Sequence, residues 1–376
     1  MQILKTIFKV IGITIAGIII VTLIGGALFI KLSPQFGKSP SKEQKLAYAK
    51  TDHYKNGKFI NQTLTEMEVK FFPMIKKLLN PQPNRTPKVN IPVDKIDSLE
   101  IVNHETNITQ LTWFGHSAFL LELDGKKVLL DPMFGESPSP VPMFAGKRYS
   151  KELPIAIEKL PFIDAVIFSH DHYDHLDYGS IQKLKDKVGQ FYTPLGVGNH
   201  LISWGVPKEN VHQLDWWETI MFDQIELVCT PARHFSGRGI TDRNTTLWSS
   251  WVIKGANKNI YFSGDGGYGA HFKEIGDKYG PFDISMMECG QYNQDWHAIH
   301  MMPEETAQAA VDLQSKLFMP IHWGAFTLAF HDWTDPAERV TAAALKLNQQ
   351  VTTPKIGEPV IVGAAVFPTA RWWEEY

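Results

Sequence analysis

Cysteine is nearly absent: the 376 residues include two, Cys229 and Cys289. Neither belongs to a C-x-x-C pair or a ligand-rich cluster, so a cysteine-built zinc site and a disulfide scaffold both lack the residues they need. Each adjoins an apolar run that reads as a strand, and both are expected as buried thiols. Excess charge is missing too. Lys and Arg number 37 against 40 Asp and Glu, a formal net charge of −3. No basic field marks nucleic acid as a partner. No repeat of solenoid period occurs, and Gly196-Val197-Gly198-Asn199-His200 does not match the phosphate-cradling glycine pattern. Apolar residues are plentiful: 44% of the chain, with 11 Trp and 22 Phe. That suffices for a large folded domain, and so many aromatics point to an apolar cleft as well as a core.

Charge is also absent locally. Residues 10–30 carry no charged side chain, and as a helix rising ~1.5 Å per residue they cross a ~30 Å hydrocarbon layer. The apolar region of a cleaved signal peptide is shorter, roughly 7–15 residues, and no A-x-A-like site follows. Residues 1–32 are therefore expected to be an uncleaved, single-pass membrane anchor. Lys5 and Lys9 precede the span, while Lys31, Lys38, Lys42 and Lys45 follow it, which nearly balances the positive-inside rule. Signal-anchor behaviour then places the rest of the chain outside the cytoplasm. Residues 33–106 read as a linker. Leu46-Ala47-Tyr48-Ala49 is briefly helical; Met67, Phe71, Met74 and Leu78 have helical spacing, with Pro73 starting or kinking the helix. Pro81-Gln82-Pro83-Asn84-Arg85-Thr86-Pro87 forces an extended path. This segment is expected to wrap the domain formed by residues 107–376 and to carry no chemistry of its own.

Chemistry concentrates in Ser169-His170-Asp171-His172-Tyr173-Asp174-His175-Leu176-Asp177, which follows the strand-like run Ala165-Val166-Ile167-Phe168. Neutral imidazole and carboxylate suit zinc and similar divalent ions. One tight loop cannot wrap four ligands around one ion and leave room for substrate. The alternation is better suited to sending His170 and His172 to one metal, and Asp174 and His175 to a second. Upstream, Leu111 to Leu123 and Lys127 to Leu130 read as a hairpin about Asp124-Gly125. Within and after it, His116 and Asp131 could orient metal ligands from behind. The loop at 133–149 mixes Phe134, Val141, Met143 and Phe144 with Lys147 and Arg148, a composition that could touch a membrane surface or pack on its own domain. Ile181, Leu184 and Val188 have helical spacing, and Phe191-Tyr192-Thr193-Pro194 reads as a strand.

The H-x-H-x-D-H motif resembles that of the metallo-β-lactamase superfamily. The resemblance implies an α/β (α+β) fold, an αββα sandwich of two mixed sheets flanked by helices and here preceded by a transmembrane helix. It also implies further ligands at strand ends, matched by Arg233-His234, Gly264-Asp265-Gly266 and Ile321-His322-Trp323. Other stretches are similar to the N-acyl-phosphatidylethanolamine-hydrolysing phospholipase D family: Thr230-Pro231-Ala232-Arg233-His234, Leu247-Trp248-Ser249-Ser250-Trp251, Ser263-Gly264-Asp265-Gly266-Gly267-Tyr268, Gly280-Pro281-Phe282-Asp283 and His300-Met301-Met302-Pro303-Glu304-Glu305. Gly266 stands where that pattern leads one to expect Thr.

Carried over residue by residue, His170, His172 and His234 would hold one zinc. Asp174, His175 and His322 would hold a second, and Asp265 would bridge both. The implied activity is hydrolysis of an N-acyl-phosphatidylethanolamine-like phospholipid to phosphatidic acid and an N-acylethanolamine, by a metal-bridging hydroxide attacking phosphorus. Asp174 would ligate and accept a proton. His300, just before the Pro303-Glu304-Glu305 helix start, would bind the substrate and serve catalysis. The implied partners are the phospholipid and the membrane, with no nucleic acid. Other reactions share such ligand sets, so a lactonase or sugar-phosphate hydrolase is an alternative, and a non-catalytic metal-binding envelope protein is another.

Overall fold

The computed structural model describes residues 1–67, 71–80 and 82–376. Of the expectations above, those at residues 68–70, at Pro81 and at the side chains of Phe71, Leu78 and Phe144 lie outside the described residues.

Strand periodicity builds the sandwich. Along Phe119–Leu123, Phe119, Leu121 and Leu123 enter one core while Leu120 enters another; along Ile225–Thr230, Leu227 and Cys229 face the first core and Val228 a third. Successive side chains point to opposite faces, so each sheet has an inner face and a helix-covered outer face. One sheet runs Pro359–Ile361, Gln110–Trp113, Phe119–Leu123, Lys126–Leu130, Ile163–Ile167, Val188–Pro194, Val211–Leu214. Its first four strands pair antiparallel and the rest parallel. The other runs Gln350–Val351, Leu317–Ile321, Ile284–Glu288, Asn259–Phe262, Ser250–Lys254, Ile225–Thr230, Thr219–Phe222, parallel over its first four strands and antiparallel after. Tyr178–Leu184 and Gly198–Ser203 cover the first sheet; His271–Tyr279, Pro303–Asp312 and Asp335–Lys346 cover the second. This is the αββα architecture expected from the sequence. Asp124 and Gly125 turn the opening hairpin at φ of 51° and 74°, as a two-residue turn requires.

Between the sheets, the Trp323 ring lies 5.6 Å from Trp113 and 5.3 Å from Trp372, whose turn Trp372–Glu375 ends the chain. Truncating a buried Trp costs about 3–5 kcal/mol, and Trp323 directly follows His322, so this stack also fixes a site loop. The apolar helix Gln2–Leu32 contributes no buried residue and is long and apolar enough to cross a membrane. Beyond it the chain lies on the sandwich. Trp204 Nε1 donates to Pro34 O at 2.6 Å, and Tyr48, Tyr54 and Phe59 join the inter-sheet core. Helix Phe71–Leu79 places Pro73 in its first turn, where a missing N–H costs nothing.

One expectation is corrected. Val188 opens the strand Val188–Pro194 instead of extending the preceding helix, because its β-branched side chain fills the core beneath that strand. Of the two readings of the 133–149 loop, Arg148 follows the one that packs on its own domain: it is buried and donates to the carbonyls of Phe114, Met133 and Gly135. Both cysteines are buried and free, as expected.

Candidate metal centre

Strands end where the two sheets meet at one edge, and their exits supply every donor. Ile163–Ile167 leads into the loop bearing His170, His172, Asp174 and His175, and Lys126–Leu130 ends on Asp131. In the facing sheet, Ile225–Thr230, Asn259–Phe262, Ile284–Glu288 and Leu317–Ile321 lead to His234, Asp265, Glu288 and His322. Open α/β sheets gather their sites at strand ends in the same way.

The structure brings all seven expected side chains together. The ligand atoms of His170, His172, His234 and Asp265 lie within 4.8 Å of one another, and so do those of His116, Asp174, His175 and His322. Asp265 reaches both groups: Oδ2 is 3.8 Å from His170 Nε2 and His234 Nε2 and 3.0 Å from His175 Nε2, while Oδ1 is 2.9 Å from His322 Nδ1. The side chains thus fall into two neighbouring groups, one of His170, His172 and His234 and one of His116, Asp174, His175 and His322, with Asp265 in contact with both.

The donor set fits divalent metal. Three imidazole nitrogens converge, with His170 Nε2 at 2.9 Å and His234 Nε2 at 3.3 Å from His172 Nδ1. One shared proton can bridge a pair of nitrogens but not three. Partners behind the rings set which nitrogen is free: Ser169 Oγ meets His170 Nδ1 at 2.9 Å, Ile299 O meets His234 Nδ1 at 3.0 Å, and Asp131 Oδ2 meets His175 Nδ1 at 2.7 Å. Such bonds orient ligating imidazoles and select their tautomer. His175 Nε2, 3.0 Å from Asp265 Oδ2, and Asp265 Oδ1, 2.9 Å from His322 Nδ1, are buried and close but lack hydrogen-bond geometry, as lone pairs aimed at a common cation would.

Electrostatics agree. Burial holds His170 and His234 well below the ordinary imidazole pKa, lowers His172, and brings His322 to about 3. Neutral imidazole is the ligating form. Burial alone would raise Asp174 and Asp265, but neighbouring histidines hold both carboxyls well below the usual range. His175 goes the other way. Burial disfavours its charge, yet Asp265, Asp174 and Asp131 push it well above the ordinary value. The field at this point calls for positive charge.

His116 and Asp131 contact the expected ligands: His116 Nε2 is 2.9 Å from Asp174 Oδ2, and Asp131 accepts from Ser169 N as well as meeting His175. His116, Asp131 and His322 adopt φ of 57°, 37° and 68°, left-handed conformations costing about 1–3 kcal/mol each in a non-glycine residue. Reciprocal backbone bonds, His116 N to Trp323 O and His322 N to His116 O, hold two of them. At Gly266 an added Cβ would meet backbone atoms of Arg233 at 3.4 and 3.7 Å, so this departure from the family pattern leaves room for a side chain.

His300 lies beside the seven, with its Nδ1 3.0 Å from Glu288 Oε1. Sequence reading missed Glu288. It is fully buried, its Oε2 accepts from Met301 N at 2.9 Å, and burial pushes its pKa up to about 7. The signal was a lone carboxylate ending the buried run Ile284-Ser285-Met286-Met287. Asn61, in the linker, was missed as well. Its amide accepts from His234 N and donates to His234 O, so that segment does contribute to the site. The donors open into a cleft of ≈ 220 Å³ whose other walls include Met67, Phe235, Trp296, Ile299 and Leu328.

Residues 126–323 match the family model described as a beta-lactamase superfamily domain. An N-acyl-phosphatidylethanolamine-hydrolyzing phospholipase D of Caenorhabditis elegans is 33% identical over 64% of this chain and 73% of its own length. The chain belongs to the metallo-β-lactamase superfamily, in its N-acyl-phosphatidylethanolamine-hydrolysing phospholipase D-like family. It is accordingly a metal-dependent hydrolase. An uncharacterized protein of Mycobacterium tuberculosis is 40% identical over 82% of this chain and 84% of its own length. Among solved structures, an isothiocyanate hydrolase from Delia radicum gut bacteria superposes with a TM-score of 0.53 at 22% identity, over 67% of this chain and 98% of its own. That likeness concerns the fold alone.

Proposed function

We propose that the protein is a membrane-anchored, two-zinc phosphodiesterase cleaving an N-acyl-phosphatidylethanolamine-like phospholipid into phosphatidic acid and an N-acylethanolamine, with its catalytic domain outside the cytoplasm. The cleft carries this reading: His172, Asp174, Asp265, His300 and His322 line it together with Met67, Phe235, Trp296, Ile299 and Leu328. Such a mixed wall suits a charged phosphodiester headgroup, with the acyl chains lying outside the ≈ 220 Å³ cleft. The phospholipase relative and the apolar helix Gln2–Leu32 support it.

In this reading His170, His172 and His234 would hold one zinc and Asp174, His175 and His322 the other, with Asp265 placed against both groups. Bound zinc lowers the pKa of a water from 15.7 to roughly 7 and neutralises phosphodiester oxygens. Asp174, kept ionised and anchored through Oδ2 by His116, takes a proton from the attacking water. His300 is the second proton handler. Burial lowers its proton affinity, but the bond and charge of Glu288 outweigh that and raise it. With Nδ1 tied to Glu288, His300 delivers its other proton, on Nε2, to the leaving alkoxide oxygen.

The test uses the full-length, zinc-loaded protein in mixed micelles with N-acyl-phosphatidylethanolamine, products read by mass spectrometry, and Asp265→Asn as control. Phosphatidic acid plus N-acylethanolamine, absent with Asp265→Asn, is the expected result. Turnover of a soluble phosphodiester or lactone without turnover of the lipid would remove the lipid assignment.

A further inference from the structure

His200 links two distant parts of the chain. It lies in the helix Gly198–Ser203 and is 2% exposed. Its Nδ1 accepts from Lys38 N at 2.9 Å, and its Nε2 meets Asp171 Oδ2 at 3.2 Å. A main-chain N–H can only donate, so Nδ1 carries the lone pair and Nε2 the proton that goes to the carboxylate. Lys38 lies six positions beyond Leu32, the last residue of the apolar helix. Asp171 separates His170 from His172.

Asp171 is where the scaffold grips the metal loop. It is buried, it stands outside the donor groups, and three donors meet its carboxylate. Oδ1 accepts from Gly237 N at 2.8 Å, and Oδ2 from Thr246 Oγ1 at 2.7 Å as well as from His200. Gly237 belongs to the loop that begins with His234, so one carboxylate ties two ligand-bearing loops together.

A second connection starts from the same turn. Arg238 Nε donates to Gln35 O at 2.9 Å, while its Nη1 donates to Asp171 O at 2.6 Å and Leu176 O at 2.8 Å. Between these two connections the Phe36 ring lies 5.5 Å from Phe29 of the apolar helix and 6.2 Å from Tyr173, which separates His172 from Asp174. The turn has little slack. Gly37 takes a φ of 65°, and an added Cβ there would overlap His200 Nδ1 and lie 2.7 Å from its Cγ.

We propose that His200 and Arg238 are positioning residues for the loop of residues 169–177, and that the turn leaving the apolar helix, residues 33–38, sets them. The seating of the helix against the domain is then passed to His170, His172, Asp174 and His175. Partners behind a ligand fix its orientation and govern metal affinity without touching the ion. The inference rests on reading those four residues as metal ligands and is independent of what the enzyme cleaves.

The test uses the full-length protein in detergent. Zinc affinity is read by competition with a chromophoric chelator, and coordination by visible absorption of the cobalt(II)-loaded protein. His200→Asn keeps an acceptor for Lys38 N but does not reach Asp171; His200→Gln places an amide N–H where Nε2 stands. His200→Asn is expected to weaken zinc binding by about 10- to 100-fold and to alter the cobalt spectrum, and His200→Gln to restore most of both. Gly37→Ala, acting from the helix side, is expected to weaken zinc binding by about 10-fold, and to add little in a His200→Asn background because both act through one bond. Equal falls in Tm for the two His200 variants with an unchanged spectrum would mark a merely structural histidine and overturn the proposal; so would wild-type zinc affinity in both His200→Asn and Gly37→Ala. A wild type that holds no metal would remove the metal reading and leave amide exchange across residues 169–177 to decide. Faster exchange in His200→Asn and Gly37→Ala, reversed in His200→Gln, supports the positioning role, and unchanged exchange overturns it.

Discussion

Replacing Glu288 by Gln tests how His300 is made to work. Glu288 is fully buried, accepts from Met301 N at 2.9 Å, and meets His300 Nδ1 at 3.0 Å. A glutamine of the same shape keeps an oxygen for Met301 and turns its NH2 toward His300. Nδ1 must then accept instead of donate, and the tautomer reverses. The charge that raises His300 against its burial is lost with the carboxylate, so the imidazolium becomes scarce at neutral pH. A hydrogen bond to a charged group contributes about 1.5–3 kcal/mol. Each ~1.36 kcal/mol is tenfold in rate, which gives an expected fall in kcat of about 10- to 100-fold with KM little changed. The sign of the pH effect follows. A group whose proton affinity is raised in the wild type stays charged to higher pH, so the alkaline limb of the kcat profile is expected to move to lower pH in Glu288→Gln. The assay is lipid turnover in mixed micelles across pH, beside zinc content by elemental mass spectrometry. A folded, zinc-replete Glu288→Gln with wild-type kcat and an unmoved alkaline limb would refute the assignment of His300 as an acid poised by Glu288.

Asp131→Asn removes the acceptor that orients His175 and Ser169; a loss of about 10- to 100-fold in metal affinity is expected, read by competition with a chromophoric chelator. Asn61→Ala strips both backbone bonds from His234 and the Trp248 Nε1 bond. The expected cost is about 1–3 kcal/mol, seen as a Tm lower by several degrees together with weaker metal binding. An unchanged Tm would show that the linker only overlies the site. Chelation of the purified enzyme is expected to abolish hydrolysis and lower Tm, since a ligand at ~100 times its Kd adds about 2.7 kcal/mol; restoration by zinc, and its rank against other divalent ions, identifies the working metal.

Much of the site was legible because its donors follow buried strands of simple pattern. An uncharged β-branched run announces a strand, and a His or Asp directly after it is delivered to the sheet edge wherever that edge lies. His170, His172, Asp174 and His175 crowd into the loop after such a run; His234, Asp265 and His322 also follow strands, but only the superfamily resemblance marked them as ligands. Glu288 follows a strand too, but a single acid after Met287 resembles many others until Met301 and His300 are seen folded back upon it. Asn61 could not be found this way. It lies in an irregular segment 173 residues from His234, and no local pattern encodes a contact at that separation. Arg148 was left open for a related reason: beside Lys147 in an apolar loop it fits a surface cation as well as a packed one, and only the fold shows the carbonyls of Phe114, Met133 and Gly135 around it.

Hydrophobic periodicity and motif spacing are local properties, and they were enough to mark the apolar N-terminal helix and the cluster His170, His172, Asp174 and His175 as metal donors; the αββα layers and the remaining donors were implied by the family resemblance. Which nitrogen of each histidine is free, which carboxylate charges His300, and how residues 33–106 meet the catalytic scaffold depend on atoms brought together from opposite sheets and distant loops. Those pairings carry directional hydrogen bonds and buried charge, whose energies depend on position to within an ångström. Only the assembled tertiary structure sets positions that finely.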